Sequence, residues 1–219
     1  MINWLDSPFL QPMEAPMKDG RVVVIRPLRM EDAAGLLEME RALHATGVGV
    51  VRLLDELPET PEEQAEQMES AIITEKSVVR GVKYVALVDG VLVGNADIKR
   101  VRWKLLRHVS RLSIGIHPDY QELGIGRVLM ARLLGWALEG PGTSHGGIRR
   151  IELGVFESNT RARRLYESLG FEIEGRHRNF LRLPDGSLET DITMAMVLPA
   201  PAQNAERVAR SEAGDPSRA

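Results

Sequence analysis

The 219-residue sequence contains no cysteine. Without a thiol the chain can form neither a disulfide nor a cysteine nucleophile, and this absence fits a cytoplasmic protein. No apolar run approaches the ~18 residues that a membrane-spanning helix needs. The N-terminal stretch MINWLDSPFLQPMEAP has no basic segment before an apolar one, so we expect no secretory signal.

A strong charge of one sign is also missing. The formal net charge is -3 and the basic residues are dispersed, which argues against a nucleic acid or membrane partner. The histidines show no spacing typical of metal ligands, so we expect no metal site; they are His44, His108, His117, His145 and His177. A hydrophobic content of 43% and a charged content of 27% are typical of an ordinary globular domain.

The patterns along the chain predict one mixed α/β domain over residues 21–198. Residues 1–20, rich in proline and methionine, are expected to be a flexible lead-in, and residues 199–219 a disordered tail. Periodicity predicts the order β-α-α-β-β-β-α-β-α-β-β, with about seven strands and four main helices. Thr60-Pro61 marks a helix start, and Asp89-Gly90 has the composition of a tight hairpin turn.

The most informative stretch follows the strand Val109–Ile116. Its loop Gln121-Glu122-Leu123-Gly124-Ile125-Gly126-Arg127 leads into a long apolar helix. Glycines at 124 and 126 let a ligand approach the backbone, and the helix start leaves N–H groups without intrahelical partners. This arrangement suits a phosphate or pyrophosphate. As an alternative, the loop has only a geometric role, as glycine loops commonly do.

Two familiar nucleotide motifs fit this loop badly. A nucleotide P-loop requires Lys-Ser or Lys-Thr after its last glycine, and none follows Gly126. A dinucleotide fingerprint requires a third glycine, where this chain has Leu129.

The loop resembles the acetyl-CoA-binding motif of the GCN5-related N-acetyltransferase (GNAT) family: Gln121-x-x-Gly124-x-Gly126 follows a strand ending in His117-Pro118-Asp119-Tyr120. The stretch from Asn159 to Phe171 resembles that family's second conserved region, with its asparagine, tyrosine and Gly-Phe in register. The match covers about residues 21–198. It implies a strongly twisted sheet and transfer of an acetyl group from acetyl-CoA, as co-substrate, to a primary amine by direct attack.

The resemblance also implies roles for individual residues. Cofactor binding falls to two strand residues, the loop and the start of the next helix: Ile114, Ile116, Gln121, Leu123, Gly124, Ile125, Gly126, Arg127, Asn159 and Ala162. The strand holding Ile114 is expected to splay from the strand at 151–155, and an N–H near Ile116 to polarise the thioester carbonyl. Tyr166 is the implied catalytic acid, which protonates the departing thiolate.

Structural interpretations stand beside these roles. Tyr166 fits equally a tyrosine packed on the sheet with its hydroxyl at the rim. Asn159 is a plausible helix N-cap. For the general base, positions 111 and 113 carry Arg111 and Ser113 where some family members have a glutamate. Asp97, Glu152 and Glu157 are candidates, although we favour solvated strand-end carboxylates for all three, with a water chain as the alternative base.

The acceptor is therefore predicted to be a small-molecule or peptide amine. We expect it to enter opposite the cofactor, bounded by residues 44–59 and the hairpin at 176–188. A competing hypothesis is a non-catalytic acyl-CoA-binding or sensing module on the same fold, favoured by the missing glutamate. The sequence leaves open which amine is used and whether two copies form a homodimer.

Overall fold

The computed structural model describes residues 6–74 and 77–198. Within them, eight strands form one sheet in the order β1-β2-β3-β4-β5-β6-β8-β7. The strands are β1 Met13–Pro16, β2 Val22–Pro27, β3 Gly81–Val88, β4 Val91–Arg100, β5 Val109–Ile116, β6 Arg150–Phe156, β7 Glu172–Arg182 and β8 Leu188–Val197. All neighbours are antiparallel except β5 and β6, which are parallel. The mixed α/β fold is confirmed, with eight strands rather than about seven.

Four helices cover the two faces of this sheet: α1 Ala33–His44, α2 Pro61–Met68, α3 Ile125–Leu138 and α4 Thr160–Ser168. The main core lies under α3, where Leu129, Leu133 and Trp136 are fully buried among the inward side chains of the strands. Leu36 and Met39 of α1 pack with Met68 of α2 on the opposite face, in a second cluster. Leu112, Ile114 and Ile116 of β5 lie on the α3 face.

Local signals place the elements correctly. Asp89 and Gly90 have φ angles of 50° and 80°, as a type I′ turn requires at both central positions. The side chain of Thr60 caps α2 by accepting a hydrogen bond from the Glu63 N–H at 3.3 Å. The α-helical part of α2 ends at Met68, because Glu69–Ala71 form a 3-10 turn.

The expectation of a flexible lead-in is wrong for the described residues before Arg21. Met13–Pro16 forms the edge strand β1, paired with β2, and the phenol of Tyr84 donates to the Phe9 carbonyl at 2.6 Å. Arg132 of α3 donates to two further carbonyls of this segment, Pro8 at 2.5 Å and Gln11 at 2.6 Å. These long-range bonds hold a segment whose own sequence carries little strand signal.

The predicted C-terminal tail and the first five residues lie outside the described residues. In the described ranges, every helix is too short or too polar to cross a membrane.

Candidate active site

The candidate site begins where β5 and β6 part. The two strands are paired only through Val109, Ser110 and Arg111 of β5, opposite Arg150 to Glu152 of β6. Beyond that point β5 stays paired with β4 as far as Ile116, and β6 stays paired with β8 as far as Phe156. A wedge therefore opens between Leu112–Ile116 and Leu153–Phe156, as the predicted splay requires.

Backbone groups of β5 face into this wedge. The Val109 carbonyl accepts from Val101, and the His117 N–H donates to Val93, so the odd-numbered residues of β5 direct their backbone groups at the β4 side. Because the direction alternates along an antiparallel strand, Ile114 and Ile116 direct theirs toward the wedge. The Ile116 carbonyl accepts a hydrogen bond from the side chain of Gln121 at 3.0 Å.

The loop after β5 presents its N–H groups at the end of the wedge. Glu122 and Gly124 have positive φ angles of 66° and 96°, and Gly124 is the N-cap of α3. None of the backbone N–H groups from Glu122 to Gly126 donates to an acceptor in residues 6–74 or 77–198. Together with the positive end of the α3 dipole, this run of free donors suits the pyrophosphate of a CoA molecule.

The remaining loop residues are held in different ways. The Leu123 carbonyl accepts from the Lys18 N–H at 3.1 Å. A side chain at Gly126 would press on Leu165 of α4, since its Cβ would lie 3.3 Å from Leu165 Cδ2. The Arg127 N–H is bonded to the Gly124 carbonyl, and its guanidinium donates to the Ser168 hydroxyl at 2.9 Å.

Arginine 161 of α4 reaches the same loop, which the sequence did not lead us to expect. It donates a short hydrogen bond to the side-chain carbonyl of Gln121 and lies 3.9 Å from the carboxylate of Glu122. The Gln121 side chain thus joins β5 to α4 across the mouth of the wedge. The Glu122 side chain is 77% exposed, so its charge is screened by solvent.

Asn159 and Ala162 lie at the start of α4. The Asn159 side-chain oxygen accepts the Ala162 N–H at 3.1 Å, which confirms the N-cap interpretation. This bond leaves the amide nitrogen of Asn159 available as a donor, and it points to the segment between α1 and α2. A Cβ on Gly49 would lie 2.8 Å from that nitrogen.

Tyr166 is the buried residue of α4. Its ring lies 6.1 Å from that of Phe171, and 6% of its surface is exposed. Burial raises the pKa of Tyr166 to about 12. Its hydroxyl makes no hydrogen bond to any described residue, although buried phenols usually find a partner. A protonated donor with no protein acceptor is suited to bond a molecule bound in the wedge.

The wedge also opens toward the face of the sheet that α1 covers. Gly115 of β5 points there, and its missing side chain makes room for Leu43 of α1, whose Cδ2 would be 2.8 Å from a Cβ. The register of β5 is regular at Gly115, so the glycine accommodates a neighbouring side chain and not a bulge. A cavity of about 450 Å³ lies on the same side, lined in part by Asp97, Ser113 and Trp103.

The three carboxylates considered as bases already have partners. Asp97 accepts from the Ser113 hydroxyl at 2.5 Å. Glu152 is paired with the Arg150 guanidinium at 2.6 Å, and Glu157 forms a short ion pair with Arg176. Each is bonded to a neighbouring side chain rather than merely solvated, as we had favoured from the sequence. Among the side chains described, no three His, Asp or Glu residues converge as metal ligands would.

Known proteins provide an independent comparison. Residues 50–171 match the family model of the Acetyltransferase (GNAT) family. The [ribosomal protein bS18]-alanine N-acetyltransferases of Haemophilus ducreyi and Escherichia coli K12 are 31% and 37% identical to this chain. Those alignments cover 43% and 42% of this chain, and 61% and 57% of the relatives' own lengths. The chain thus spans about 60% of the curated relatives that it matches.

A solved structure extends the likeness beyond the sequence match. The phosphinothricin acetyltransferase of Sinorhizobium meliloti, solved with acetyl-CoA, superposes with a TM-score of 0.67 at 21% identity, over 83% of this chain and 91% of that one. The family match covers more than half of this chain and includes the loop and the second motif that border the wedge. The chain therefore belongs to the acetyltransferase (GNAT) family.

Proposed function

We propose that this protein is an acetyl-CoA-dependent N-acetyltransferase that acts on a primary amine by direct transfer. The observation that carries the proposal is the wedge between β5 and β6, which ends in the free N–H groups from Glu122 to Gly126. A thioester arm can lie along the wedge while its pyrophosphate is held by the loop. The parted strands and the free N–H groups of the loop support binding of acetyl-CoA at this place.

Acetyl-CoA would supply an activated acetyl thioester. The chain's part is to hold that thioester and the amine together, which lowers the entropic cost of the encounter. The N–H of Ile116 faces the wedge and is suited to bond a carbonyl oxygen as charge develops on it. The Tyr166 hydroxyl keeps its proton at neutral pH because burial raises its pKa to about 12. Because burial makes Tyr166 a weaker acid than an exposed tyrosine, we expect it to pass that proton to the thiolate only as negative charge develops on the sulfur.

For the acceptor, we propose the α-amine of a protein or peptide that begins with alanine. Support comes from the similarity of this chain to the two bS18-alanine N-acetyltransferases, at 31% and 37% identity over 43% and 42% of its length. An α-amine has a pKa near 8, whereas a lysine amine has one near 10.4, so an α-amine gives up its proton more readily. The open α1 face beside Asp97 and Trp103 leaves space for the residues that follow the alanine.

The competing function is a non-catalytic acyl-CoA sensor. A sensor needs the loop and the wedge, but it does not need a buried phenol that lacks a protein partner. Tyr166 therefore favours the enzyme.

Two measurements on the wild type test the proposal. Calorimetric titration with acetyl-CoA, CoA, ATP and NAD should give micromolar binding for the first two only. Thiol release should then be followed with an alanine-initiated hexapeptide amide, the same peptide acetylated at its N-terminus, free alanine and N-α-acetyl-lysine. Binding without thiol release for any amine would favour the sensor, and the absence of CoA binding would refute the assignment of the loop.

Replacing Tyr166 by Phe removes only the hydroxyl group and distinguishes an enzyme from a sensor. We expect kcat to fall about 100-fold, at the lower end of general acid contributions, while the Kd for acetyl-CoA stays within twofold. Steady-state kinetics and calorimetry measure the two quantities. An unchanged kcat would remove the Tyr166 hydroxyl from the mechanism.

A further inference from the structure

We propose that Asp191 is the catalytic base that takes the proton from the attacking amine. The inference rests on the proposed acetyltransferase function and deepens it, because none of the carboxylates considered from the sequence is free for this role.

The position of Asp191 follows from the register of the strands. If the β5–β6 pairing continued beyond Arg111 and Glu152, Ser113 would lie opposite Gly154, and the strands part there instead. Leu153 and Val155 point into the main core, so Gly154 faces the α1 side, where the acceptor is expected. Ile192 of β8 also points into the core, which places its neighbour Asp191 on the same α1 side.

The missing side chain of Gly154 leaves the space that the carboxylate of Asp191 occupies. A Cβ at position 154 would lie 3.1 Å from one carboxylate oxygen of Asp191 and 3.5 Å from the other. The carboxylate of Asp191 therefore occupies the space above Gly154 that a side chain on β6 would fill. It stands at the β6 edge of the wedge, beside the path from the α1 face to the thioester.

The charge of Asp191 is not committed to another group. Its carboxylate accepts no hydrogen bond from any described residue. On β7, the residue opposite Asp191 is His177, whose ring is engaged with the Thr193 hydroxyl at 3.2 Å. On β6, Glu152 is paired with Arg150 and Arg111, and Glu157 with Arg176.

Partial burial raises the pKa of Asp191, and the nearby His177 lowers it by a smaller amount. A carboxylate with a raised pKa is a stronger base than an exposed one. Asp191 also differs from Asp97 in its partners, because Asp97 accepts a hydrogen bond from Ser113 and Asp191 accepts none from any described residue.

The step balances in atoms and charge. The nitrogen lone pair of the amine forms a bond to the thioester carbon, and the carbonyl π electrons move to oxygen. As that carbonyl re-forms, the C–S bond breaks and its electron pair leaves with sulfur. The nitrogen loses its extra proton to Asp191, and the thiolate receives one from Tyr166. Solvent returns both residues to their starting states.

Replacing Asp191 by Asn tests the assignment with the alanine-initiated hexapeptide amide as the probe. We expect kcat/KM to fall about 100-fold, within the range of general base contributions, with the Kd for acetyl-CoA within twofold of wild type. In the wild type, the pH profile of kcat/KM should have an acidic limb whose position is the same for different amine probes. This limb should be absent in Asp191→Asn. Asp191→Glu should recover about tenfold of the loss, since it restores a carboxylate.

A second readout does not depend on turnover. The carboxyl carbon resonance that vanishes in Asp191→Asn should titrate in the wild type with a pKa above the ordinary ~3.9 of an aspartate. A value at or below that would overturn the proposal. Asp89→Asn provides a matched control, because it makes the same change in the β3–β4 turn, where Asn tolerates the positive φ. Its kcat/KM should stay within twofold.

The outcomes separate the two proposals. Turnover by the wild type and by Asp191→Asn at similar rates overturns the role of Asp191 alone. Parallel loss of turnover and of acetyl-CoA binding in Asp191→Asn overturns it as well, since the role is then structural. Absence of turnover by the wild type overturns the proposed function and, with it, this inference.

Discussion

Two carboxylates stand on the α1 face at opposite edges of the wedge, and they differ in their partners. Asp97, on the β4–β5 side, accepts a 2.5 Å hydrogen bond from Ser113 and lies 4.0 Å from the Lys99 amine. Asp191, on the β6–β8 side, lies over a glycine and has no hydrogen-bonding partner among the described residues. The comparison teaches that the neighbours of a carboxylate decide its chemistry, because a donor that stabilises the ionised form makes it a weaker base.

Apart from replacing Asp191 itself, the largest effect on activity is expected from filling the space over Gly154. In Gly154→Ala the new methyl group would lie 3.1 Å from a carboxylate oxygen and push Asp191 out of position. We expect kcat/KM for the alanine-initiated peptide to fall about tenfold, since a misplaced base loses much of its contribution. Stopped assays of thiol release measure this.

Gly175→Ala is the matched control for that variant. It adds the same methyl group on β7, where the nearest atom would be 3.9 Å away, at ordinary contact distance. Equal losses of activity in Gly154→Ala and Gly175→Ala would mean that the effect comes from the sheet and not from Asp191.

An intermediate effect is expected on stability, because Asp191→Asn and Asp97→Asn should change the free energy of unfolding in opposite directions. At pH 7, Asp191→Asn removes a partly desolvated charge and should raise the free energy of unfolding by about 0.5 kcal/mol. Asp97→Asn weakens a charge-assisted hydrogen bond and should lower it by about 0.5–1 kcal/mol. Urea denaturation of both variants measures these changes.

The pH dependence of the free energy of unfolding tests the sign of the change expected for Asp191→Asn. Because the pKa of Asp191 is higher in the folded than in the unfolded chain, folding favours the neutral form of this residue over its ionised form. Its contribution to stability is therefore lost as the pH rises through the folded pKa. The gain in Asp191→Asn should therefore vanish near pH 3, where the wild-type residue is also neutral. A gain that persists at pH 3 would point to packing instead.

The smallest effect on activity is expected from Ser113→Ala, which removes the hydroxyl bonded to Asp97. If Asp97 only supports the strand edge, kcat/KM should change by less than about twofold, while stability falls by about 1 kcal/mol. A loss of turnover comparable to that of Asp191→Asn would transfer the role of base to the β4–β5 edge.

Local chemistry made much of the fold predictable. Asp89-Gly90 specifies a turn because both positions need a positive φ. Asn159 specifies a helix start because its side-chain oxygen can accept the Ala162 N–H. The loop from Gln121 to Arg127 could be located because two closely spaced glycines before an apolar helix form a recognisable sequence pattern. In each case the signal lies within a few residues of the structure that it produces.

The features that were missed depend on distant partners. The strand Met13–Pro16 contains a proline and is held by β2 at the sheet edge, where the missing N–H of a proline is tolerated. Asp191 acquires its position from Gly154, which lies on a neighbouring strand far away in sequence. A search for an acidic residue at fixed positions of β5 cannot find a carboxylate that enters from β8 over a glycine.

The bond between the Lys18 N–H and the Leu123 carbonyl gives the β1–β2 turn influence over a loop that it does not belong to. This turn lies outside residues 50–171, where the family resemblance is concentrated. Under the proposed function, we expect changes there to shift the loop, and hence the affinity for acetyl-CoA, without altering either motif. For protein engineering, residues 17–20 are therefore a place to adjust donor affinity independently of the chemistry, and any tag fused before them should be chosen with that coupling in mind.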